Sequence, residues 1–102
     1  MTIDELRDRI DQLDERLVTL LNERASCALE IGKLKHARGL EVYQPDREAA
    51  VLRRVAACAQ RAEGPLGPEA MVRVFERIID EARRIERAVA GGGVPGGDAA
   101  EQ

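Results

Sequence analysis

Residues 3 to 35 read IDELRDRIDQLDERLVTLLNERASCALEIGKLK, without a proline and with one glycine, Gly32. Apolar side chains fall at positions 3, 6, 10, 13, 17 and 20, and the series resumes at Cys27, Ile31 and Leu34. That alternating three-four spacing predicts one long helix with a buried seam. Arg24 interrupts the seam. A guanidinium holds its proton at all ordinary pH values, so enclosing it without an anion costs several kcal/mol. The pattern therefore predicts a negatively charged partner for Arg24, either a carboxylate of the protein or one of a ligand.

The rest of the chain supports an all-α fold of three helices, one of them very long. Thr2-Ile3-Asp4-Glu5 fits a capping box at the start of the first helix, and Gly39 is a natural stop. Gly32 inside it marks either a weak point or a close approach by another backbone or a ligand. Gln44-Pro45 opens a second helix, with Asp46 and Glu48 in the first turn where the macrodipole favours anions. This helix turns Val51, Leu52, Val55 and Ala59 inward and ends near Glu63-Gly64-Pro65. Gly67-Pro68 opens a third, striped by Met71, Phe75, Ile78, Ala82, Ile85 and Val89. Residues 1–90 form the helical domain. The Gly-rich stretch 91–102 has too little apolar surface to order itself and reads as a disordered tail or a linker remnant.

Composition narrows the function. The chain has 102 residues, 34% of them charged and 44% hydrophobic, and a net charge of −3. Those values fit one globular domain and disfavour nucleic acid as a partner. No apolar run is long enough for a membrane span, and the charged N-terminus lacks the apolar core of a secretory leader, so the cytoplasm is expected. Cys27 and Cys58 are expected as buried thiols rather than a disulfide or a metal site.

Some 35 residues of helix extend about 52 Å, whereas a compact domain of this size is about 33 Å across. The overhanging seam requires cover from another chain, and a twofold homodimer with the two long helices packed along each other and the short helices wrapped over the partner is the simplest closed solution. Lys35 follows Arg24 by 11 residues, which points both side chains the same way about 16 Å apart. They bracket room for a small molecule. Arg7 lies about 25 Å from Arg24 on another azimuth, too far for the same site within one subunit. An antiparallel dimer could bring it to the other subunit's site. Lysine is scarce here, with only Lys33 and Lys35 against 14 arginines, which raises the interest of Lys35. Glu86 falls on nearly the azimuth of Ile79, near the interior face of the third helix.

The run from Leu6-Arg7 to Asp14, then Leu20-Leu21-Asn22-Glu23-Arg24, Ile31-Gly32-Lys33-Leu34-Lys35 and Tyr43-Gln44-Pro45-Asp46-Arg47-Glu48, closely resembles the all-helical AroQ class of chorismate mutases. The resemblance covers about residues 3 to 89. It implies an interlocked three-helix homodimer with two active sites, each borrowing an arginine from the partner. It further implies that Arg24 and a second subunit's Arg7 hold the two carboxylates of chorismate, and that Lys35 reaches the ether oxygen and a carboxylate. Glu48 accepts from the ring hydroxyl with Arg47 beside it, and Glu86 stands where the family has a second donor to the ether oxygen. Three positions depart from the commoner pattern: Gln44 for Asp, Ala82 for Ser and Glu86 for Gln. A Glu at position 86 must be protonated to donate, as it is in the similar eukaryotic members that use Glu there. No cofactor and no metal is implied.

Each residue also has a plainer reading when taken singly. Arg24 could complete a structural ion pair with Glu23 or Glu30 of a partner helix. Lys35 could be solvated, Arg47-Glu48 an ordinary first-turn pair, and Glu86 one member of a surface network with Arg83, Arg84 and Arg87. His36 reads as a solvated or capping residue rather than a base. Two rival functions remain beside chorismate mutase: isochorismate-pyruvate lyase on the same scaffold, and a non-catalytic helical dimerisation or regulatory module.

Overall fold

The computed structural model describes residues 1–91, and the chain folds into three α-helices: α1 (Ile3–Arg38), α2 (Pro45–Ala62) and α3 (Pro68–Ala90). The Gly-rich tail, 92–102, lies outside the described residues. The capping box forms as its sequence demands, with the Glu5 amide donating to Thr2 Oγ1 at 3.0 Å and the Thr2 amide to Glu5 Oε1 at 2.8 Å. At the other end Gly39 turns left-handed, with φ of 69°, and the Leu40 amide donates to the Lys35 carbonyl at 2.8 Å. Proline opens both α2 and α3 at the first helical position.

The core lies between α2 and α3. Val51, Val55 and Ile79 are buried there, with Leu52, Met71, Val72 and Phe75 packed around them. Within the expected apolar stripe of α3, the side chains are only half-buried, and the buried position is the neighbouring Ile79. The reason is that α3 serves two partners, packing against both α1 and α2. Its Met71, Phe75 and Ile79 face α2, whereas Ile78, Ala82 and Ile85 line a groove shared with Leu21 and Ala25 of α1.

α1 overhangs this core. The described chain measures 53 × 34 × 17 Å with a radius of gyration of 16.5 Å, above the about 13 Å of a compact domain of this size. Only Ala28 and Gly32 of α1 are buried, while Ile3, Leu6, Ile10, Leu13, Leu17 and Leu20 are all exposed. The seam is present but left uncovered by the described residues.

The cysteines correct the sequence-based expectation, since both Cys27 and Cys58 are exposed. Cys27 borders a cavity instead of a packed core, and Cys58 stands beside the buried row of Val51, Val55 and Ala59 without belonging to it. There it accepts from the Arg61 guanidinium at 3.3 Å. The thiols are free, as expected.

Gly32 is where α1 and α3 come closest. A Cβ placed there would stand 3.0 Å from Glu86 Cα and 3.3 Å from its Cγ. Gly32→Ala gains about 1 kcal/mol of helix propensity but forces apart two backbones, an overpacking that costs about 1 to 3 kcal/mol. The expected result is a melting temperature unchanged or lowered, together with a loss of function at the site built around Glu86. Higher stability with full function would show that the helices separate freely here.

Candidate active site

A cavity of about 410 Å³ opens between the three helices, within the range of ordinary small-molecule sites. Arg24 and Lys35 reach it from α1, Gln44, Arg47 and Glu48 from the start of α2, and Ala82 and Glu86 from α3. All the site residues expected from the sequence therefore converge, except Arg7. That residue is exposed in the uncovered half of α1 and does not line the cavity.

Two ion pairs brace the cavity, and both are anchored on one face of α3. Lys35 Nζ donates to Glu86 Oε1 at 2.8 Å, joining α1 to α3, with side-chain exposures of 12% and 14%. The same ammonium donates to the Val42 carbonyl at 3.0 Å, which ties the connection between α1 and α2 to the site. An ammonium has three N–H donors, so one remains for a ligand. Glu86 Oε2 is likewise left without a protein partner among the described residues.

The second pair joins α2 to α3. Arg83 Nε donates to Glu48 Oε2 at 3.1 Å and its Nη2 to Glu48 Oε1 at 2.6 Å, a two-pronged grip. Nη1 donates to Asp80 at 3.2 Å, and the guanidinium carbon stands 5.4 Å from the centre of the Tyr43 ring. Its hydrogen bond to Glu48, aided by the charges of Glu48 and Asp80, raises the Arg83 pKa above its usual value despite burial. Because each Glu48 oxygen has two lone-pair sites and Arg83 occupies one on each, Glu48 can still accept from a ligand.

Arg24 is treated differently. It is half-buried at the cavity wall, and no carboxylate lies within 4 Å of it among the described residues. The anion that its place on the seam requires does not come from the described residues. Gln44 caps α2 without a side-chain hydrogen bond, leaving its amide uncommitted toward the cavity.

Sequence reasoning missed three contributors: Arg83, Arg54 on the cavity wall, and the carbonyl of Val42. Arg54 had an available signal, since it follows Arg47 by two turns and shares its azimuth. With Arg54 and Arg83 counted, five cationic side chains line the cavity against the carboxylates of Glu48 and Glu86. A chain of net charge −3 thus carries a local excess of positive charge. His36 is exposed at the end of α1, as a solvated residue should be. Among the described residues, no group of His, Cys, Asp and Glu is arranged to hold a metal ion, and no helix is long and apolar enough to cross a membrane.

A helical cavity walled by an arginine that has no carboxylate partner among the described residues, by a lysine held in place and by three further arginines has the charge of an anion-binding site. Residues 6–87 match the family described as chorismate mutase type II, and the chain belongs to that family. It is 43% identical over 90 residues to a bifunctional chorismate mutase/prephenate dehydratase of Neisseria gonorrhoeae, covering 84% of this chain and 24% of that protein. A protein of the same description from Stutzerimonas stutzeri is 39% identical over 87 residues, which are 80% of this chain and 23% of the relative. The T-protein of Enterobacter agglomerans is 35% identical over 79 residues, covering 76% and 20%. The chain spans about a quarter of the length of the curated relatives it matches first.

Proposed function

We propose that this chain is a chorismate mutase, converting chorismate to prephenate in the cytoplasm on the way to phenylalanine and tyrosine. The observation that carries the reading is the cavity itself, where an unpaired Arg24 and a Lys35 with one free N–H face a surplus of positive charge. Chorismate is a dianion with two carboxylates, an ether oxygen and a ring hydroxyl, and the site offers chemistry suited to each. Arg24 grips one carboxylate in two places, which an arginine fork does better than a lysine. A second subunit's Arg7 takes the other. Arg47 and Gln44 flank the ligand, Ala82 supplies apolar wall, and Glu48 accepts from the hydroxyl.

The reaction needs no nucleophile and no proton transfer. Within one molecule the ether C–O bond breaks as a C–C bond forms, so catalysis reduces to two tasks. The flexible enolpyruvyl arm must be held over the ring in the reactive conformer. The negative charge that grows on the ether oxygen must also be met by donors, which are the free N–H of Lys35 and, once protonated, the carboxyl of Glu86. No cofactor or metal is required for either task.

The uncovered apolar edge of α1 supports a homodimer, because a contiguous strip of this length exceeds what monomers leave in water. Pairing two long helices antiparallel would also carry an Arg7 to each site.

Chorismate and isochorismate, supplied separately to the purified chain, decide between the mutase and the lyase. Prephenate from chorismate with no pyruvate from isochorismate is the expected result. Pyruvate formation as the main activity would make it a lyase, and no turnover of either substrate would favour a non-catalytic module.

The donor role of Glu86 is tested by substitution. A carboxyl donates only when it carries a proton, whereas a glutamine amide always can, so Glu86→Gln should retain or raise kcat/KM for chorismate. Loss of turnover in a folded Gln variant would remove Glu86 from the donor role.

A further inference from the structure

Arg83 stands where two parts of the site meet. It projects from α3, grips the Glu48 carboxylate at the start of α2, and lies against the Tyr43 ring in the connection between α1 and α2. α1 and α2 have no close backbone contact among the described residues, so α3 must hold the α2 side of the cavity in register with the α1 side. Arg83 and Glu86 are one turn apart on α3. Through them a single helical face fixes Glu48 from one side and Lys35 from the other.

All three Arg83 nitrogens already donate, two to Glu48 and one to Asp80. Such a guanidinium is poorly placed to take a ligand carboxylate, unlike Arg24. Glu48, by contrast, keeps a free lone pair on each oxygen. A glutamate in the first turn of a helix is otherwise free to sample many rotamers, and freezing it on ligand arrival costs side-chain entropy. A forked partner removes that freedom in advance.

We propose that Arg83 is a positioning residue, which presets the Glu48 carboxylate to receive the ring hydroxyl of the substrate. The proposal rests on the reading of the chain as a chorismate mutase. It makes the fork between α2 and α3, rather than any contact of Arg83 with the substrate, the device that sets recognition of the hydroxyl. Arg83→Lys keeps a charge but loses the fork, and Arg83→Leu loses both.

The test measures kcat and KM for the wild type, Arg83→Lys, Arg83→Leu, Glu48→Gln and the Arg83→Leu/Glu48→Gln double variant. Two substrates are used: chorismate, and its analogue lacking the ring hydroxyl. Misplacing Glu48 should lower kcat/KM for chorismate by about ten- to a hundredfold in Arg83→Leu, with a smaller loss in Arg83→Lys. On the analogue the wild type and both Arg83 variants should agree within about threefold, because the group that Glu48 serves is absent. The double variant should be no worse than Glu48→Gln alone. Equal losses on both substrates, multiplying losses in the double variant, or no loss on chorismate would each overturn the proposal. Should Arg83→Leu fail to fold, the comparison of Arg83→Lys on the two substrates decides in the same way. A wild type that leaves chorismate unchanged would instead overturn the mutase reading on which the proposal rests.

Discussion

Arg24→Lys should lower kcat/KM for chorismate by about a hundredfold or more while the protein stays folded, because the charge survives but the two-pronged grip and its geometry do not. Arg24 has no carboxylate partner among the described residues, and its half-buried guanidinium is incompletely solvated. Exchanging it for lysine removes no ion pair visible in the structure, and stability should change by no more than about 1 kcal/mol. Kinetics and thermal unfolding of the same preparation provide both numbers. Unfolding with undiminished turnover per folded site would identify Arg24 as a structural ion pair, completed by a glutamate of another subunit.

Lys35→Met should be as damaging to the reaction and more damaging to the fold. In the proposed reaction its free N–H is the donor to the developing charge, and removing a donor of that kind typically lowers kcat by about 10²- to 10³-fold. Methionine fills similar space but leaves the Glu86 carboxylate, 14% exposed, without its cation. An uncompensated charge so enclosed costs about 1 to 3 kcal/mol. The Lys35→Met/Glu86→Gln double variant separates the two losses, since it should regain stability without regaining activity. Recovery of turnover in that variant would show that Lys35 serves the fold alone.

Local signals made much of the fold readable in the sequence. The capping box at Thr2 and Glu5, the stop at Gly39 and the prolines at 45 and 68 each act within one turn of helix, so they determine the helix ends wherever the helices later pack. Gly32 was readable for a related reason, since a lone glycine inside a strong helix needs a cause, and Glu86 Cα supplies one. Arg24 and Lys35 on the α1 wall were readable from helical spacing, whereas Gln44, Arg47 and Glu48 on the α2 wall were readable only through the family resemblance.

What the sequence hid depends on helix crossings that no local pattern encodes. Arg83 reads as one charge among Arg84, Arg87 and Glu86, and only the crossing of α3 over α2 shows that Glu48 waits for it. Ile79, not Ile78, is buried because α3 divides its apolar surface between two helices. The Val42 carbonyl carries no sequence signature, since any residue has one, and the exposed Cys27 thiol follows from a cavity where the seam implied a core.

The central claim is that each site is completed by two chains, and subunit exchange tests it most directly. Arg7→Ala and Arg24→Ala homodimers should each be nearly inactive, since every site in them carries a lesion. After mixing under conditions that exchange subunits, a heterodimer places both lesions in one site and leaves the other intact. Random exchange of equal amounts makes half the dimers mixed, so activity should return to about a quarter of the wild-type value. Proven exchange with no return of prephenate formation would contradict the shared site.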